Sequence, residues 1–320
     1  MSHKFILPAL ALMLLSSLPA PAQDTLPDGP GKKAVESYCV QCHDLGTVTR
    51  GGYDQTGWRN NVHMMVNVGS GLPPGEIEML VGYLAKNFPE RPKPKAVLIP
   101  GSAKVAIREW VVPTPGSRPH DPRATADGAI WYTGQFANVL GRLDPKTGAL
   151  KLVTAPTPKS RPYGMVVSSK GVPFFVEFGS NKIARIDPDT MAIREYALPS
   201  AESRPRRVAI TSDDVLWYSD YARGYLGRFD PATGKHTEWA SPGGPKSQPY
   251  GIAVVKDVVW YSEAGVQPNT LVRFDPGTEK FQTWAIPSGG GVVRNVDVTR
   301  DGNLALALSG VNRVALVELK

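Results

Sequence analysis

The segment Leu216-Trp217-Tyr218-Ser219-Asp220, which leads to Arg228-Phe229-Asp230-Pro231, decides the fold of most of this 320-residue chain. The Asp-Pro dipeptide, preceded by a basic and an apolar residue, recurs at intervals of 43, 43 and 45 residues, beginning at Asp144, Asp187, Asp230 and Asp275. Upstream of each copy lies an apolar and aromatic triplet, at residues 130–132, 174–176, 216–218 and 259–261. A period in the low forties with about four short strands per unit is typical of a β-propeller blade.

The number of repeats predicts how many blades form. Five inner strands are expected, near His120, Tyr163, Arg206, Tyr250 and Arg294. Residues 97–320 are therefore predicted to form an all-β propeller of about five four-stranded blades. The last repeat has room for only three strands before Lys320, so the leading segment 104–110 is predicted to supply its outer strand and close the ring, which would cover the exposed edges.

These repeats resemble the propellers of the streptogramin B lyase (virginiamycin B lyase) family. The resemblance lies in the segments at residues 161–167, 181–188 and 216–220 and covers nearly all of residues 104–320. It implies a metal-assisted elimination that opens a cyclic peptide ester, with a His on an inner strand and a Glu after the central strand. The resembled lyases have more blades than the five expected here.

The resemblance indicates catalytic candidates, although no single blade carries both the His and the acid. His120 occupies the His position, and Glu177, Asp220 and Glu263 occupy the acid position of blades two to four. A divalent metal in the funnel is one reading, with His120 meeting Glu177 or Glu263 across it. The other reading is a polar network around a central channel, in which Glu177 or Asp220 pairs with an arginine, namely Arg206, Arg207 or Arg294.

A second motif lies ahead of the repeats, at Cys39-Val40-Gln41-Cys42-His43, and it contains the only two cysteines. The spacing C-x-x-C-H is the attachment signature of c-type haem, in which both thiols form thioethers and the His binds iron. A thioredoxin-like pair would follow a strand of a βαβ unit, and a zinc site would need two more ligands, for which only His63 is near. The motif therefore predicts one covalent haem c, bound by Cys39, Cys42 and His43.

The residues around this motif have a helical pattern. Helices are expected over 32–42, from about Gln55, and over 73–86, where Ile77, Leu80, Val81 and Leu84 recur at helical spacing. Three helices around a haem make a small all-α cytochrome c domain, assigned to residues 23–88. A proline-rich linker, residues 89–96, follows and separates it from the propeller.

The sixth iron ligand must come from the middle helix. This stretch resembles bacterial monohaem cytochromes c with the pattern W-x-x-x-V-x-x-M-x-x-x-G, which Trp58, Val62, Met65 and Gly69 match. The resemblance implies that Met65 is the axial ligand opposite His43. Met64 is the alternative, followed by His63.

The N-terminus predicts export. Lys4 precedes an uncharged apolar run over residues 5–19, and Ala20-Pro21-Ala22 offers a cleavage site. Residues 1–22 are therefore assigned as a cleaved signal peptide, which places the mature protein in a periplasm. The chain has no other long apolar run, so no membrane span is expected.

Composition and charge narrow the function classes. The formal net charge is +7, but lysines and arginines are scattered without a basic tract, which disfavours nucleic acid as a partner. The combined motifs predict an electron carrier with a redox partner protein, a dehydrogenase or a terminal acceptor, while the propeller docks a partner or binds a small molecule. The alternatives are a propeller enzyme, either a lyase or hydrolase or an oxidoreductase that feeds the haem, and a scaffold.

Overall fold

The computed structural model describes residues 25–92, 95–103 and 105–320. They divide into two compact units, one of residues 25–59 and 71–96 and the other of residues 60–70 and 97–320. The predicted signal peptide, residues 1–22, lies outside the described residues. Within the part of the chain that is described, no helix is both long enough and apolar enough to cross a membrane.

Helices occupy the chain before the repeats. They are α1 (Lys32–Ala34), which continues as a π-helical turn (Val35–Cys39), α2 (Leu45–Thr49), α3 (Gln55–Asn67), a 3₁₀ turn (Pro74–Glu76) and α4 (Ile77–Asn87). The three predicted helical segments are confirmed. The predicted apolar face of α4 is buried, at Ile77, Leu80, Val81 and Leu84.

The first unit is held together by close packing and by two buried or half-buried polar side chains. A Cβ at Gly31, which precedes α1, would lie 2.4 Å from Cβ of Tyr83 on α4, so only glycine allows this approach. The Tyr83 hydroxyl donates to the carbonyl of Pro27 at 2.6 Å, and Trp58 Nε1 donates to the carbonyl of Phe88 at 2.7 Å. These contacts bring the start and the end of the segment together.

The repeats form antiparallel sheets in which each strand pairs with the next along the chain. Blade 1 contains β1 (Pro119–Ala124), β2 (Ile130–Gly134), β3 (Val139–Leu143) and β4 (Leu150–Thr154). Blade 2 contains β5 (Pro162–Val167), β6 (Pro173–Glu177), β7 (Lys182–Ile186) and β8 (Ile193–Ala197). Blade 3 contains β9 (Pro205–Ile210), β10 (Leu216–Asp220), β11 (Tyr225–Phe229) and β12 (His236–Ala240).

Blade 4 contains β13 (Pro249–Val255), β14 (Val258–Glu263), β15 (Thr270–Asp275) and β16 (Lys280–Ala285). Blade 5 contains β17 (Val293–Val298), β18 (Leu304–Leu308) and β19 (Arg313–Val317), with a 3₁₀ turn (Ser309–Val311) between the last two. The first strands of successive blades pack against one another, from β1 through β5, β9 and β13 to β17. The predicted five-bladed propeller is confirmed.

The prediction that residues 104–110 complete blade 5 is wrong. Blade 5 has three strands, and residues 105–112 form no strand. Val105 and Ile107, whose alternation suggested a strand, are 79% and 83% exposed. The segment instead ends on blade 1, where Trp110 covers the turn at Gly148: a Cβ there would lie 2.9 Å from Trp110 Nε1.

The recurring Asp-Pro dipeptide closes the turn between the third and fourth strands of a blade. Asp144 Oδ1 accepts from the backbone N–H of Lys146 at 2.8 Å, and its Oδ2 accepts from the Thr147 hydroxyl at 2.8 Å. Asp187 makes the equivalent bonds to the N–H groups of Asp189 and Thr190. An aspartate that bonds to its own turn stabilises the turn locally, which explains why this pair marks the repeat.

The core lies between blades. One buried cluster joins Val176 and Ile183 of blade 2 to Leu216, Tyr218 and Phe229 of blade 3. Because each sheet buries one face against the next, the aromatic triplets that revealed the repeat are the residues that hold neighbouring blades together.

Hydroxyl groups on the second strands also connect neighbouring blades. The Thr133 hydroxyl donates to the carbonyl of Tyr163 in the next blade at 3.0 Å, and the Ser219 hydroxyl donates to the carbonyl of Tyr250 at 3.0 Å. The Ser262 hydroxyl lies 3.2 Å from the carbonyl of Val293. These bonds set the register between inner strands.

Candidate functional site

Each inner strand carries a bulge near its start. In blade 3, Pro205 pairs with Asp220 and Arg207 pairs with Ser219, so Arg206 is the extra residue. The pairing also shifts after the first residue of β5, β13 and β17, and one residue later, after His120, in β1. A bulge redirects the side chain it carries, and such bulges are common next to functional sites.

Positions in or directly beside these bulges carry aromatic and cationic side chains, and we call this set the inner ring. Its members come from all five blades: His120, Tyr163, Arg206, Arg207, Tyr250 and Arg294. Gly164 and Gly251 follow the two tyrosines, and a Cβ at Gly164 would lie 3.0 Å from the carbonyl oxygen of Arg206. Glycine at this position thus lets adjacent inner strands approach closely.

His120 belongs to a chain of polar contacts. Its Nδ1 lies 2.7 Å from Asp121 Oδ1, and Arg207 donates to both carboxylate oxygens of Asp121, at 2.7 and 2.6 Å. Burial alone would raise the pKa of Asp121, but the bond from His120 and the Arg207 guanidinium outweigh it and hold the pKa below its usual value. The ionised Asp121 therefore orients the His120 ring.

Arg206 is surrounded by aromatic rings. Its guanidinium carbon lies 4.1 Å from the ring centre of Tyr250, 4.4 Å from that of Tyr221, 4.8 Å from that of Phe178 and 5.6 Å from that of Tyr163. The rings favour a cation over their faces. Arg206 Nε is buried and has no hydrogen-bond acceptor among the described residues.

The two tyrosines of the inner ring share a hydrogen bond. The hydroxyl oxygens of Tyr163 and Tyr250 are 3.3 Å apart. Burial raises the pKa of Tyr163, and its bond to Tyr250 adds to this. Burial also opposes ionisation of Tyr250, but the bond donated by Tyr163 and the charges of three arginines, Arg206, Arg207 and Arg294, lower the pKa of Tyr250 below its ordinary value.

The three carboxylates at the acid position are buried within their own blades. Glu177 Oε2 accepts from the Ser180 hydroxyl at 2.8 Å, while its Oε1 is buried without a partner in the described structure. Burial, together with repulsion from the nearby Glu195 carboxylate, raises the pKa of Glu177 to about 7. Glu177 therefore changes charge near neutral pH.

Asp220 and Glu263 accept more hydrogen bonds than Glu177 does. Asp220 accepts from the backbone N–H of Arg204 at 3.0 Å and from the guanidinium of Arg223 at 3.1 Å. Glu263 accepts from the Ser241 hydroxyl at 2.5 Å, from the N–H of Gly243 at 2.6 Å and from the Thr270 hydroxyl at 2.5 Å. These carboxylates hold the loops of blades 3 and 4.

Two predicted pairings at the funnel are therefore replaced by others. The arginine that pairs with Asp220 is Arg223, three residues along its own hairpin, and the carboxylate that pairs with Arg207 is Asp121, which the sequence did not single out. The carboxylate that contacts His120 is likewise its neighbour Asp121. Among the described residues, no group of three or more His, Cys, Asp or Glu side chains is placed to hold a metal ion.

The C-x-x-C-H motif begins where the first helix ends. Cys39 is the last residue of the π-helical turn, Cys42 is exposed, and both thiols are free. His43 Nδ1 lies 3.3 Å from the carbonyl oxygen of Asp44, and Asp44 caps α2 by accepting from the N–H of Thr47 at 2.9 Å. A bond from Nδ1 to a carbonyl leaves Nε2 for a metal, as in most histidine ligands. These three residues fit a covalently bound haem.

The predicted sixth ligand lies on α3. Met64 and Met65 are adjacent there and both are half-buried, so exposure does not distinguish between them. Met65 remains the prediction from the sequence pattern, with Met64 and His63 as the alternatives.

Comparison with known proteins adds information about the propeller. The profile of the Virginiamycin B lyase family matches residues 101–263. The structure of selenomethionine-substituted virginiamycin B lyase from Staphylococcus aureus is 30% identical, with a TM-score of 0.62, over 67% of this chain and 71% of that one. A catalytically inactive His-to-Ala variant of that lyase, with quinupristin, is 27% identical, with a TM-score of 0.60, over 68% and 75%.

A streptogramin B lyase structure is 25% identical, with a TM-score of 0.60, over 67% of this chain and 73% of that one. Among curated proteins, no sequence matches this chain. The predicted resemblance of the repeats to lyase propellers is confirmed.

Proposed function

The chain belongs to the virginiamycin B lyase family, and we propose that its propeller is the ligand-binding or docking part of a periplasmic c-type cytochrome. In this proposal the segment of residues 23–88 carries one haem, which exchanges single electrons with a redox partner protein. The signal peptide predicted for residues 1–22 would export the chain to the compartment where c-type haem is attached.

The observation that carries this proposal is the motif at Cys39, Cys42 and His43. Two free thiols follow a helix at the required spacing, and the Nδ1 contact of His43 leaves its other nitrogen available. When bound, the haem supplies a one-electron couple, whose reduction potential is raised by a His and Met ligand pair. Cys39 and Cys42 would hold the group, His43 would be its proximal ligand and Met65 its distal one.

The first test is whether the full chain carries haem covalently. It would be expressed in a bacterium with and without the machinery for c-type haem attachment, and the denatured protein would be examined by intact mass and by absorbance. We expect the mass of one haem to remain bound only with the machinery, and to be lost in the double variant Cys39→Ala, Cys42→Ala. Export without bound haem would contradict the proposal.

A second test identifies the distal ligand. Met65→Leu is expected to give a high-spin or ligand-exchanging ferric spectrum, whereas Met64→Leu, its matched control, keeps the low-spin spectrum. The reverse result would assign Met64, and two unchanged spectra would leave His63 as the remaining candidate ligand.

A propeller enzyme is the second candidate, and the contact between His120 and Asp121 favours it. A carboxylate that orients an imidazole is the arrangement of a general base. The lyase reading would use His120 as the base that takes a C–H proton of a cyclic peptide ester while the ester C–O bond breaks, which leaves an alkene and a carboxylate. The predicted acids Glu177, Asp220 and Glu263 bond to other groups, and within the described residues they form no group that could hold a metal ion. An oxidoreductase feeding the haem is the other enzymatic reading.

Two assays distinguish an electron carrier from a propeller enzyme. Haem absorbance would be followed while a panel of small substrates is added, with and without periplasmic extract from the protein's source. Reduction by a substrate alone would indicate a catalytic propeller, and reduction only with extract would indicate a carrier. Quinupristin, present in the related structure, tests the lyase reading, which predicts turnover that His120→Ala abolishes.

A further inference from the structure

The charges of the inner ring do not cancel. Arg206, Arg207 and Arg294 contribute three positive charges, and Asp121 contributes one negative charge, which Arg207 already engages through both of its oxygens. The carboxylates at the acid position already accept hydrogen bonds from nearby loops, from Ser180 to Glu177, from Arg204 to Asp220 and from Gly243 to Glu263. The ring thus carries an excess of positive charge where five strands converge.

Arg206 shows that an acceptor is missing. Its guanidinium lies among four aromatic rings, and its buried Nε has no acceptor within the described structure. Arg207 Nε is also buried and unpartnered in the same part of the structure. A buried donor without an acceptor loses free energy that a bound oxyanion would restore, because the planar guanidinium edge matches a carboxylate or phosphate.

Nearby residues provide access and an apolar surface. Arg294 is exposed, so its charge can reach a ligand that enters from solvent. The rings of His120 and Tyr163 lie 4.3 Å apart between centres, and Tyr221 and Phe178 extend this aromatic surface beside Arg206. Aromatic faces beside cationic edges suit a planar organic group that ends in an oxyanion.

We propose that the inner ring binds a small aromatic oxyanion, whose charged group bonds to Arg206 and Arg294 while its ring packs on the half-buried rings of Tyr221 and Phe178. This inference names the class of ligand that the propeller binds. It rests on the proposed function only because that function assigns ligand binding to the propeller. Anion binding is measured on the full chain, with or without attached haem. A failure of haem attachment therefore leaves anion binding testable, and the reverse also holds.

The experiment is calorimetric titration of the full chain with benzoate, phenyl phosphate and benzamide. Benzoate and phenyl phosphate distinguish a carboxylate site from a phosphate site, and benzamide has the same ring without charge. We expect one anion to bind at one site at least about 10-fold more tightly than benzamide, with affinity that falls as salt is raised. Equal binding of benzamide, or no saturable binding of either anion, would overturn the proposal.

Variants locate the site. Arg206→Gln and Arg294→Gln are each expected to weaken anion binding by about 10-fold or more, because each removes a charge-assisted bond. Arg194→Gln is the matched control, since Arg194 also lies over a tyrosine, Tyr196, but on the outer strand of blade 2. Arg294 is exposed, so its variant keeps the test valid if Arg206→Gln fails to fold. Unchanged binding in a folded Arg294→Gln protein would refute a role for this charge.

Tyr250 provides an independent readout. A bound anion would offset the arginine charges that lower the pKa of this phenol, so its ionisation should move to higher pH when ligand is present. The shift is followed by tyrosinate absorbance and should be absent in Tyr250→Phe. An identical shift in Tyr250→Phe would place the anion elsewhere.

Discussion

Two sets of polar residues repeat around the propeller, and they differ in where their partners lie. Carboxylates at the acid position bond close to their own strand: Asp220 bonds to the hairpin that follows it, and Glu263 bonds to the connection that leads into its blade. Inner-ring residues contact other blades: Arg206 of blade 3 lies over Tyr250 of blade 4 and near Tyr163 of blade 2. Position within the repeat, rather than residue type, therefore separates groups that stabilise a blade from groups available to a ligand.

We therefore expect substitutions at the acid position to lower the free energy of unfolding strongly, and substitutions at the exposed part of the inner ring to lower it little. The largest expected effect is that of Glu263→Ala. It removes the acceptor of three donors, the hydroxyls of Ser241 and Thr270 and the N–H of Gly243, of which only the Ser241 hydroxyl has another contact within the described structure, with Tyr261. We expect the free energy of unfolding to fall by about 4 kcal/mol, measured by urea denaturation.

The matched control for this variant is Glu318→Ala, at an exposed position after β19, which should change stability by less than about 0.5 kcal/mol. If Glu263→Ala retained wild-type stability but abolished turnover of a substrate, Glu263 would belong with the functional residues. The distinction between stabilising and ligand-binding positions would then be wrong.

The sequence predicted the fold from local chemistry. Asp144 and Asp187 bond within their own turns, so each Asp-Pro copy shows where a hairpin turns, whatever surrounds it. Ser180 and Arg223 lie three residues from Glu177 and Asp220, a spacing that could have shown that these acids are bound locally.

The inner ring could not be predicted in the same way. Asp121 and Arg207 are 86 residues apart and meet only because the propeller brings the inner strands of blades 1 and 3 close together. The strand predicted at residues 104–110 failed for a related reason: alternation predicts a strand but not its pairing partner, and Trp110 packs instead on blade 1.

The next effect is the pH dependence caused by Glu177. Its pKa is about 7 in the folded protein and near 4.5 when exposed, so the folded state holds an extra proton between these values. Stability therefore falls as pH rises through this window, and the penalty, on the order of 3 kcal/mol, is close to complete by about pH 8. Glu177→Gln should be more stable than wild type at pH 8 and should lack this slope.

Urea denaturation at pH 5 and pH 8 measures the slope for both proteins, with Glu318→Gln as the exposed control. If Glu177→Gln lost as much stability as wild type between the two pH values, another group would be responsible and Glu177 would be ionised throughout.

A smaller effect is expected at the hydroxyls that connect blades. Ser219 accepts from the N–H of Arg207 and donates to the carbonyl of Tyr250, so it supports two inner-ring residues at once. Ser219→Ala should lower the free energy of unfolding by about 1–2 kcal/mol. Blade 2 has Val176 at the equivalent place, so the hydroxyl is not required in every blade. If urea denaturation showed no loss of stability in Ser219→Ala, packing alone would set the register between these inner strands.

The smallest stability effect is expected for Arg294→Gln, because the side chain is exposed and makes no hydrogen bond within the described structure. The free energy of unfolding should change by less than about 0.5 kcal/mol. The pKa of Tyr250 should nevertheless rise, since Arg294 is one of the charges that lower it. Alkaline absorbance titration of Arg294→Gln, with Tyr250→Phe to identify the phenol, measures this change. A stable protein with altered Tyr250 ionisation would show that the inner ring acts through charge rather than through support of the fold, whereas unfolding of Arg294→Gln would remove the distinction between the two sets.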